Sequence, residues 1–325
     1  MRILQEGQGE LFQPPDMQAF REWNRQQKSR RLVDKRMTER EAVERFVHEN
    51  SYVGTELYGS VRCPMSLARE VVRQRDRIRN LRVAGQGVLE LDLWLAADLV
   101  RALDITYIGL EVYGVSHALR RAVESGRTRT TEWSNAAITW RMKAAAMGVP
   151  FLPTTSMLGT DTLRHSAAKV VEDPFTGQPV CLLPALILDV GMIHVHRCDK
   201  YGNAQVEGIS GFAFELARAS KRLIVSAEEI VDTGEIRRYP DRTLIPYYLV
   251  DAVVHAPFGS YPGEMPYRYW RDEAEIRAWV EASQTAEGAA AYLQRTVFDL
   301  PDHAAFLEMV GQERLQAVQA AAPQR

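Results

Sequence analysis

The amino-acid sequence predicts an α/β protein with a mostly parallel open sheet, covered by helices on both faces, and a helical C-terminal tail. Short apolar segments alternate with amphipathic segments from residue 52 to residue 255. Parallel strands need a crossover between them, usually a helix, and such crossovers cover both faces of the sheet. After Asp272 apolar residues recur at helical spacing, beginning with Ile276 and Trp279. We expect this tail to pack across the domain edge or against a partner.

The composition is that of a globular chain with a large core. Of 325 residues, 46% are hydrophobic and 25% are charged, so disorder is not expected. We predict one folded unit over residues 38–325, preceded by a polar and basic extension over residues 1–37 that contains Pro14 and Pro15. The formal net charge of −2 gives no global field for nucleic acid or an anionic membrane.

Export and membrane insertion are not indicated by the sequence. The first residues lack a basic segment followed by an apolar one, and no run of about 18 apolar residues occurs. Cys63, Cys181 and Cys198 are too few and too scattered for a disulfide framework. We therefore expect a cytoplasmic protein.

Local signals place the individual helices and strands. Thr38 with Glu41 forms a capping box that begins a first helix. Pro64 favours a helix over 64–74, and Gly148 ends a helix over 134–147. A further helix is predicted over 212–220, and strands are predicted over 52–58, 80–84, 105–111, 149–153, 191–196, 222–226 and 249–255.

Two glycine turns follow predicted strands, at the end of the sheet where open parallel sheets bind ligands. The turn that starts at Gly59 opens a helix and presents backbone N–H groups to anions or carbonyl oxygens, although any strand-to-helix turn favours glycine. The turn formed by Gly85, Gln86 and Gly87 lets the backbone approach a ligand closely. Its spacing is not that of a dinucleotide fingerprint.

Three further side-chain types are candidates for chemistry. His194, His196 and Cys198 share one face of a predicted strand, as metal ligands do, but one strand alone supplies them, so packing is the favoured interpretation and no metal is expected. Cys63 is a nucleophile only if a base reaches it, and no base is placed there. Glu111 ends a predicted strand as a possible site carboxylate, with a capping or solvated role equally compatible.

Several segments together resemble the alpha subunit of the glutaconate type of family I CoA-transferases. They keep the family order from about residue 38 to residue 318. The segments that carry the resemblance are Lys143 to Pro153, Met192 to His194 with Asp199, Gly202 and Asn203, Glu228 to Ile230 with Glu235 to Arg238, Val250 to Val254 with Ala256 to Gly259, and Val297 to Leu300 with Asp302 and His303.

The resemblance implies a two-subunit CoA-transferase that moves CoA between an acyl-CoA and a carboxylic acid, with dicarboxylic acids among the candidate substrates. In this family a beta-subunit glutamate attacks the thioester, by way of a mixed anhydride and a glutamyl-CoA thioester, which splits one difficult exchange into easier steps. The place of that glutamate falls at Ala84 in this chain. We therefore expect the nucleophile on a beta-subunit partner, a heterotetramer or larger assembly, and no permanently bound cofactor.

The same resemblance suggests which residues contact substrate. Arg62 is expected to hold a substrate carboxylate with its guanidinium fork, and Glu111 lies near the substrate position of the family. The residues expected to bind substrate are Arg62, Gly85, Gln86, Gly87, Ser134 and Asn135.

Two alternatives remain open at the level of the sequence. One is a CoA-thioester hydrolase or a C–C bond lyase or decarboxylase of the same fold, with Glu111 as the base; in the hydrolases of the family an alpha-subunit glutamate acts where this chain has Asn135. The other is a non-catalytic subunit that only stabilises its partner.

The segment over residues 21–36 is rich in Arg and Lys. We expect a solvated basic extension there, with contact to CoA phosphates or to an acidic face of the partner as the alternatives.

Overall fold

The computed structural model describes residues 2–56, 59–85 and 89–323. Within these residues the strands are β1 (Ile3–Glu6), β2 (Tyr52–Thr55), β3 (Leu81–Gly85), β4 (Val100–Ile105), β5 (Arg129–Glu132), β6 (Phe151–Thr154), β7 (Lys169–Glu172), β8 (Pro179–Pro184), β9 (Leu188–Asp199), β10 (Ala204–Gln205), β11 (Ser220–Val231), β12 (Thr243–Ile245) and β13 (Ala252–His255). The α-helices are α1 (Met17–Gln26), α2 (Glu39–Phe46), α3 (Met65–Arg73), α4 (Leu89–Ala96), α5 (His117–Glu124), α6 (Asn135–Met147), α7 (Asp161–His165), α8 (Ala213–Ala219), α9 (Thr233–Arg238), α10 (Glu273–Ala282), α11 (Ala286–Leu293), α12 (His303–Val310) and α13 (Gln312–Ala320).

The predicted fold class is confirmed by the main sheet. Its strands follow the order β13, β11, β9, β2, β3, β4, β5, and every neighbouring pair in this series is parallel. β10 and β12 extend the sheet antiparallel, beside the later part of β9. Successive strand residues face opposite sides of a sheet, and here Tyr52 and Val53 enter two different hydrophobic cores. Both faces are therefore covered, as a parallel sheet requires.

Local signals set the boundaries of two well-predicted helices. Thr38 and Glu41 form the predicted capping box of α2, in which the Thr38 side chain accepts from the Glu41 N–H and Glu41 accepts from the Thr38 N–H. α6 has Ser134 as its N-cap and ends at Gly148 in the left-handed conformation, with a φ of 75°. Both helices confirm the corresponding sequence predictions.

A small antiparallel sheet was not predicted. Its strand order is β1, β7, β8, β6, and β1 pairs with β7 from Ile3 to Glu6. Residues 151–187 therefore leave the parallel layer and form hairpins to which the start of the chain adds a strand.

Residues 21–36 were expected to form a solvated extension. This expectation is wrong for Lys28 and Lys35, which are buried and attach the segment to the folded body. Lys28 is only 8% exposed and Lys35 only 6%. Lys28 forms an ion pair with Asp251 at 2.6 Å, and the Lys35 Nζ donates to the Tyr247 carbonyl. Phe20 of α1 is buried in the core. Folding against the body lets these ammonium groups find internal acceptors.

The C-terminal helices pack on the helical layer of the chain. Trp279 of α10 is buried, and its indole N–H donates to Asp92 of α4 at 2.6 Å. Tyr292 of α11 packs against the Trp279 ring, with 4.9 Å between the ring centroids. No helix among the described residues is both long and apolar enough to cross a membrane.

Candidate active site

The carboxyl ends of the parallel strands form the edge near which Gly85, Glu111, Ser134 and Asn135 lie. Gly85, the last residue of β3, lies opposite Ile105 of β4, and Ile105 lies opposite Glu132 of β5. The chain therefore leaves the sheet at one level after all three strands. The segment after β4 leads to Glu111, and the segment after β5 leads to the start of α6.

The turn after β5 brings Ser134 and Asn135 to this edge. The Ser134 hydroxyl accepts a hydrogen bond from the Ala137 N–H at 3.1 Å, which caps the helix. Asn135 is the first residue of α6 and is exposed. The dipole of α6 favours negative charge at this end of the helix. The location suits the predicted substrate contact, which stays a prediction.

Glu111 reaches the same edge from a loop, so the predicted strand over 105–111 is wrong. β4 ends at Ile105, and Glu111 begins a short 3-10 turn with a φ of 53°. The apolar residues that imitate a strand in the sequence, Ile108 and Leu110, are buried in the loop. The exposed Glu111 carboxylate lies beside Gly59, because a Cβ added to Gly59 would be 3.4 Å from Oε1.

Arg62 is buried and has internal partners. Its guanidinium forms an ion pair with Glu56, with 2.7 Å between Nη2 and Oε1, and both side chains are fully buried. Nη1 also donates to the His194 carbonyl at 3.2 Å, and Nη2 to the Ser210 carbonyl at 3.3 Å. The predicted contact between Arg62 and a substrate carboxylate stays a prediction, and the structure already supplies one carboxylate to this group.

A gap in the sheet explains why Arg62 is held there. β2 pairs with β9 only as far as Thr55 opposite Met192, and β10 pairs with it at Arg197 and Cys198. Along residues 193–196 no described strand pairs with this edge of β9. The Arg62 guanidinium donates to a carbonyl in this gap, as the N–H of a neighbouring strand would.

The Glu56 carboxyl has an unusual environment that sequence reasoning missed. Burial raises the pKa of Glu56 to about 7, although the charge and hydrogen bond of Arg62 act in the opposite direction. Its Oε2 and the Arg62 Nε are buried and have no hydrogen-bond partner among the described residues. The available signal was the position of Glu56 directly after a buried strand, with Arg62 in the following glycine turn.

The position expected for a nucleophile carries no functional group. Ala84 is fully buried, and its methyl group belongs to the core. Gly85 ends β3 and is buried. Gln86 and Gly87, the other two predicted residues of this turn, lie outside the described residues.

His194 and His196 are held by separate hydrogen bonds. The His194 Nδ1 lies 2.9 Å from the Ser226 Oγ, and its Nε2 lies 2.7 Å from the Glu228 Oε1. The His196 Nε2 lies 2.9 Å from the Pro266 carbonyl oxygen, and burial lowers the pKa of His196 to about 4. Among the described residues no group of three His, Cys, Asp or Glu side chains is arranged to hold a metal ion.

Cys63 lies beneath the glycine turn and is fully buried. Its thiol donates to the Gly59 carbonyl at 3.4 Å. Burial, with the nearby carboxylate of Glu90, raises the pKa of Cys63 well above its ordinary value. A thiolate nucleophile is therefore disfavoured at this position.

Comparisons with known proteins agree with this arrangement. The family model described as Coenzyme A transferase matches residues 36–256. An uncharacterized protein of Archaeoglobus fulgidus is 48% identical over 96% of this chain and 70% of its own length. The alpha-type subunit of 3-oxoadipate CoA-transferase from Pseudomonas knackmussii is 32% identical over 83% of this chain and 96% of its own length.

The corresponding subunit of glutaconate CoA-transferase from Acidaminococcus fermentans is similar in both sequence and structure. The sequences are 30% identical over 87% of this chain and 94% of that subunit. The crystal structure of that enzyme superposes with a TM-score of 0.85, covering 88% of this chain and 95% of the matched chain. The shared sheet, the matched segment and these relatives show that the chain belongs to the coenzyme A transferase family, within which it is an alpha subunit.

Proposed function

We propose that this chain forms the acyl-binding half of a heteromeric CoA-transferase and that a beta subunit provides the nucleophile. The observation that carries the proposal is the carboxyl edge of the sheet. Gly85, Ser134 and Asn135 lie at or just beyond the ends of β3 and β5 on that edge, and Glu111 lies beside Gly59 after β2, whereas position 84 holds a buried methyl group. Polar and backbone groups suited to binding are thus present, and a carboxylate at the expected nucleophile position is not.

The reaction follows from a glutamate on the beta subunit. Its carboxylate attacks the thioester carbonyl, which expels CoA thiolate and leaves an acyl-glutamyl anhydride. The thiolate then attacks the glutamyl carbonyl, which releases the donor acid as a carboxylate and leaves glutamyl-CoA. The acceptor carboxylate runs the two steps in reverse and departs as the new acyl-CoA. No oxidant, reductant or metal ion is needed for this exchange.

The residues of this chain would bind and orient the acyl group. Backbone N–H groups of the turn that the sequence predicts at Gly85, Gln86 and Gly87 would stabilise the oxyanions that form at the carbonyl carbons. The N-terminus of α6, with Ser134 and Asn135, would face a negative group such as the second carboxylate of a dicarboxylic acid. Glu111 would position the substrate from the opposite loop, next to Gly59.

The assembly proposed is a heterotetramer or larger. The similar proteins from Acidaminococcus and Pseudomonas are each named as one subunit of a CoA-transferase, which supports a beta-type partner for this chain. We place the complex in the cytoplasm because its cysteines are free thiols and the expected substrate is an acyl-CoA.

Activity of the separated and combined subunits tests the proposal. The chain is purified alone and together with its beta subunit, and CoA exchange from an acyl-CoA to acetate or a dicarboxylate is assayed. We expect turnover only from the complex. A beta subunit with its nucleophilic glutamate changed to glutamine provides the matched inactive control. Full turnover by the isolated chain would refute the proposal.

Hydrolysis or C–C bond cleavage is the second candidate, and the exposed Glu111 carboxylate favours it. If Glu111 is a general base, Glu111→Gln removes a proton acceptor that contributes about 10²- to 10⁴-fold in rate. If Glu111 only positions the substrate, the loss appears mainly in KM. We expect the KM effect, and we expect Glu44→Gln, a similar change at an exposed residue of α2, to leave both constants unchanged.

Chemical trapping separates the two candidates directly. Incubation of the complex with acyl-CoA alone should leave glutamyl-CoA on the beta subunit, which borohydride reduces and hydroxylamine converts to a hydroxamate. We expect this product from the unmodified complex and from Glu111→Gln. Hydrolysis of acyl-CoA without a trapped intermediate, together with loss of kcat in the variant, would establish the second candidate instead.

A further inference from the structure

A second cleft lies at the amino edge of the parallel sheet and encloses about 640 Å³. One wall is α1 with Trp23, and another is the end of α2 with Arg45 and Phe46. The floor comes from the beginnings of β9 and β11, including Lys221 and Arg222. The basic N-terminal segment thus forms part of a concave surface.

This amino-edge cleft is separate from the candidate active site. Ser51, which precedes β2, lines the cleft, whereas Glu56 lies just beyond the other end of the same strand. The strand between them spans four residues, which corresponds to roughly 13 Å at about 3.3 Å per residue. A ligand in this cleft would therefore lie at the opposite ends of the strands from the acyl group.

The carboxylates that line the cleft are already neutralised. Asp189 accepts from Lys221 at 3.0 Å and from Arg82 at 3.3 Å. Asp251 forms ion pairs with Lys28 at 2.6 Å and with Arg222 at 2.9 Å. The third lining carboxylate, at position 34, pairs with the arginine two residues later. None of these acids is available to balance additional positive charge.

Two cations of the cleft have no carboxylate partner within the described part of the chain. The Lys35 Nζ donates to the Tyr247 carbonyl, which is neutral. Arg45 lies over the Phe46 ring, with 5.3 Å from its Cζ to the centroid. Burial lowers the pKa of Lys28 although Asp251 acts in the opposite direction, and the charges of Arg222 and Lys35 make smaller lowering contributions. The cleft therefore has an excess of positive charge that an anion would stabilise.

Another cation of the cleft, the Arg222 that pairs with Asp251, lies beside two aromatic rings. The Arg222 guanidinium lies over the Trp23 ring at 4.9 Å and also near the Phe46 ring at 5.9 Å. Aromatic rings and arginine guanidiniums are the flat surfaces on which nucleic-acid bases stack in other proteins. The cleft thus combines unbalanced positive charge with flat surfaces.

We propose that the amino-edge cleft binds an anion that carries a planar ring, of the class of mononucleotides. The phosphate would contact Arg45 and Lys35, and the ring would pack against the layer formed by Trp23, Phe46 and Arg222. Such a ligand would link the N-terminal segment to α2 and to β11. It would do so without contacting the carboxyl edge.

The proposal is tested by titrating AMP into the complex of the full chain and its beta subunit and measuring binding by calorimetry. We expect AMP to bind more tightly than adenosine or inorganic phosphate, because both charge and ring contribute. Arg45→Gln should weaken AMP about tenfold, a change of about 1.4 kcal/mol. Arg25→Gln has the same charge change at an exposed residue of α1 that does not line the cleft, and it should leave the affinity unaltered.

Two further arms identify the binding surface. Trp23→Leu should weaken AMP while leaving inorganic phosphate unaffected. Saturating CoA should not displace AMP, because the active site lies at the other edge. Failure of AMP to bind at millimolar concentration would overturn the proposal. So would AMP binding that CoA abolishes and that Arg45→Gln does not change, since this would place the nucleotide in the substrate site.

Discussion

The two edges of the sheet carry different charged groups. At the carboxyl edge the carboxyls of Glu56 and Glu111 lie near the turn that follows β2. At the amino edge Arg45 and Lys221 line the cleft. The helices account for part of this difference. α6 begins at the carboxyl edge, and its N-terminal dipole favours anions, while α2 ends at the amino edge with Arg45 in its last turn. In a parallel α/β layer the two edges are therefore electrostatically distinct before any ligand binds.

The edges also differ in how the backbone is used. Gly59, Arg62 and Glu111, all near the carboxyl edge, have positive φ values of 72°, 52° and 53°. A positive φ costs a non-glycine residue about 1 to 2 kcal/mol. At the amino edge the non-glycine residues with positive φ include Asn50, Asn80 and Asp98, which precede β2, β3 and β4 and are of types that adopt this conformation more readily. The less tolerant types, Arg62 and Glu111, thus have positive φ at the edge proposed for chemistry.

The largest effect is expected from deleting the N-terminal segment, residues 1–37, which packs over the amino edge of the sheet. A chain that begins at Thr38 loses the buried side chains of Phe12, Met17 and Phe20 and leaves Asp251 without Lys28. We expect loss of a cooperative unfolding transition in calorimetry. Leu32→Ser, which changes a residue of the same segment that is 55% exposed, should leave the transition in place. A truncated chain that unfolds at the normal temperature would mean that the segment is dispensable.

The second effect concerns the ion pair beneath the carboxyl edge. Arg62→Met leaves Glu56 buried without its partner, so we expect a loss of about 3 to 5 kcal/mol in the free energy of unfolding, measured with urea. Arg127→Met breaks the exposed pair with Asp98 and should cost less than about 1 kcal/mol. Equal losses in the two variants would show that burial of the first pair has no energetic consequence.

A smaller effect is the pH dependence of the same site. The pKa of Glu56, about 7 in the folded chain, is above its ordinary value of 4.5, so the folded state holds this proton more tightly than the unfolded state. Its stabilising contribution is complete below about pH 4.5 and is lost as the pH rises through about 7. The Glu56→Gln variant has no ionisable group at this position, so this contribution to the pH dependence is absent from it.

The measurement is therefore the difference in unfolding free energy between Glu56→Gln and the unmodified chain. This difference should move in favour of the variant from pH 5 to pH 8, by at most about 3 kcal/mol at 1.36 kcal/mol per pKa unit. Comparison with the unmodified chain at each pH removes the contribution of all other groups. A constant difference over this range would contradict the raised pKa.

The smallest effect separates backbone strain from a side-chain contact. Gly59 and Gly126 have φ values of 72° and 71°, but a Cβ on Gly59 would meet Glu111 whereas one on Gly126 would meet no described atom within 4 Å. Both alanine variants should lose about 1 to 2 kcal/mol of stability. Only Gly59→Ala should also raise KM, because its methyl group contacts the Glu111 carboxylate. Equal KM values in the two variants would show that Glu111 does not contribute to substrate binding.

Much of the fold was accessible from the sequence because its signals are local. The capping box of Thr38 and Glu41 and the Ser134 and Gly148 boundaries of α6 depend on residues a few positions apart, and the structure confirms them. The 105–111 segment was assigned wrongly because burial of Ile108 and Leu110 in a loop gives the same alternation as a strand. Pairing of β1 with β7 depends on contacts across more than 160 residues, which no local pattern reveals.

The candidate site was predictable only in part, for a similar reason. Gly85 ends β3, and Ser134 and Asn135 come shortly after β5, so the geometry of a parallel sheet brings them to one edge. The pairing of Arg62 with Glu56 depends on β9 continuing past the end of β2, which is a property of the folded sheet. The amino-edge cleft likewise arises only when the N-terminal segment folds against β11.

The strand order also has a consequence for synthesis of the chain. The Tyr52 N–H at the start of β2 donates to Asp189, 137 residues later, and Lys28 contacts Asp251 after 223 residues. Strands β2 to β5 therefore leave the ribosome with an unpaired edge until β9 follows, and such edges promote aggregation. The N-terminal segment is anchored later still, because Lys28 cannot form its ion pair until Asp251 has been translated.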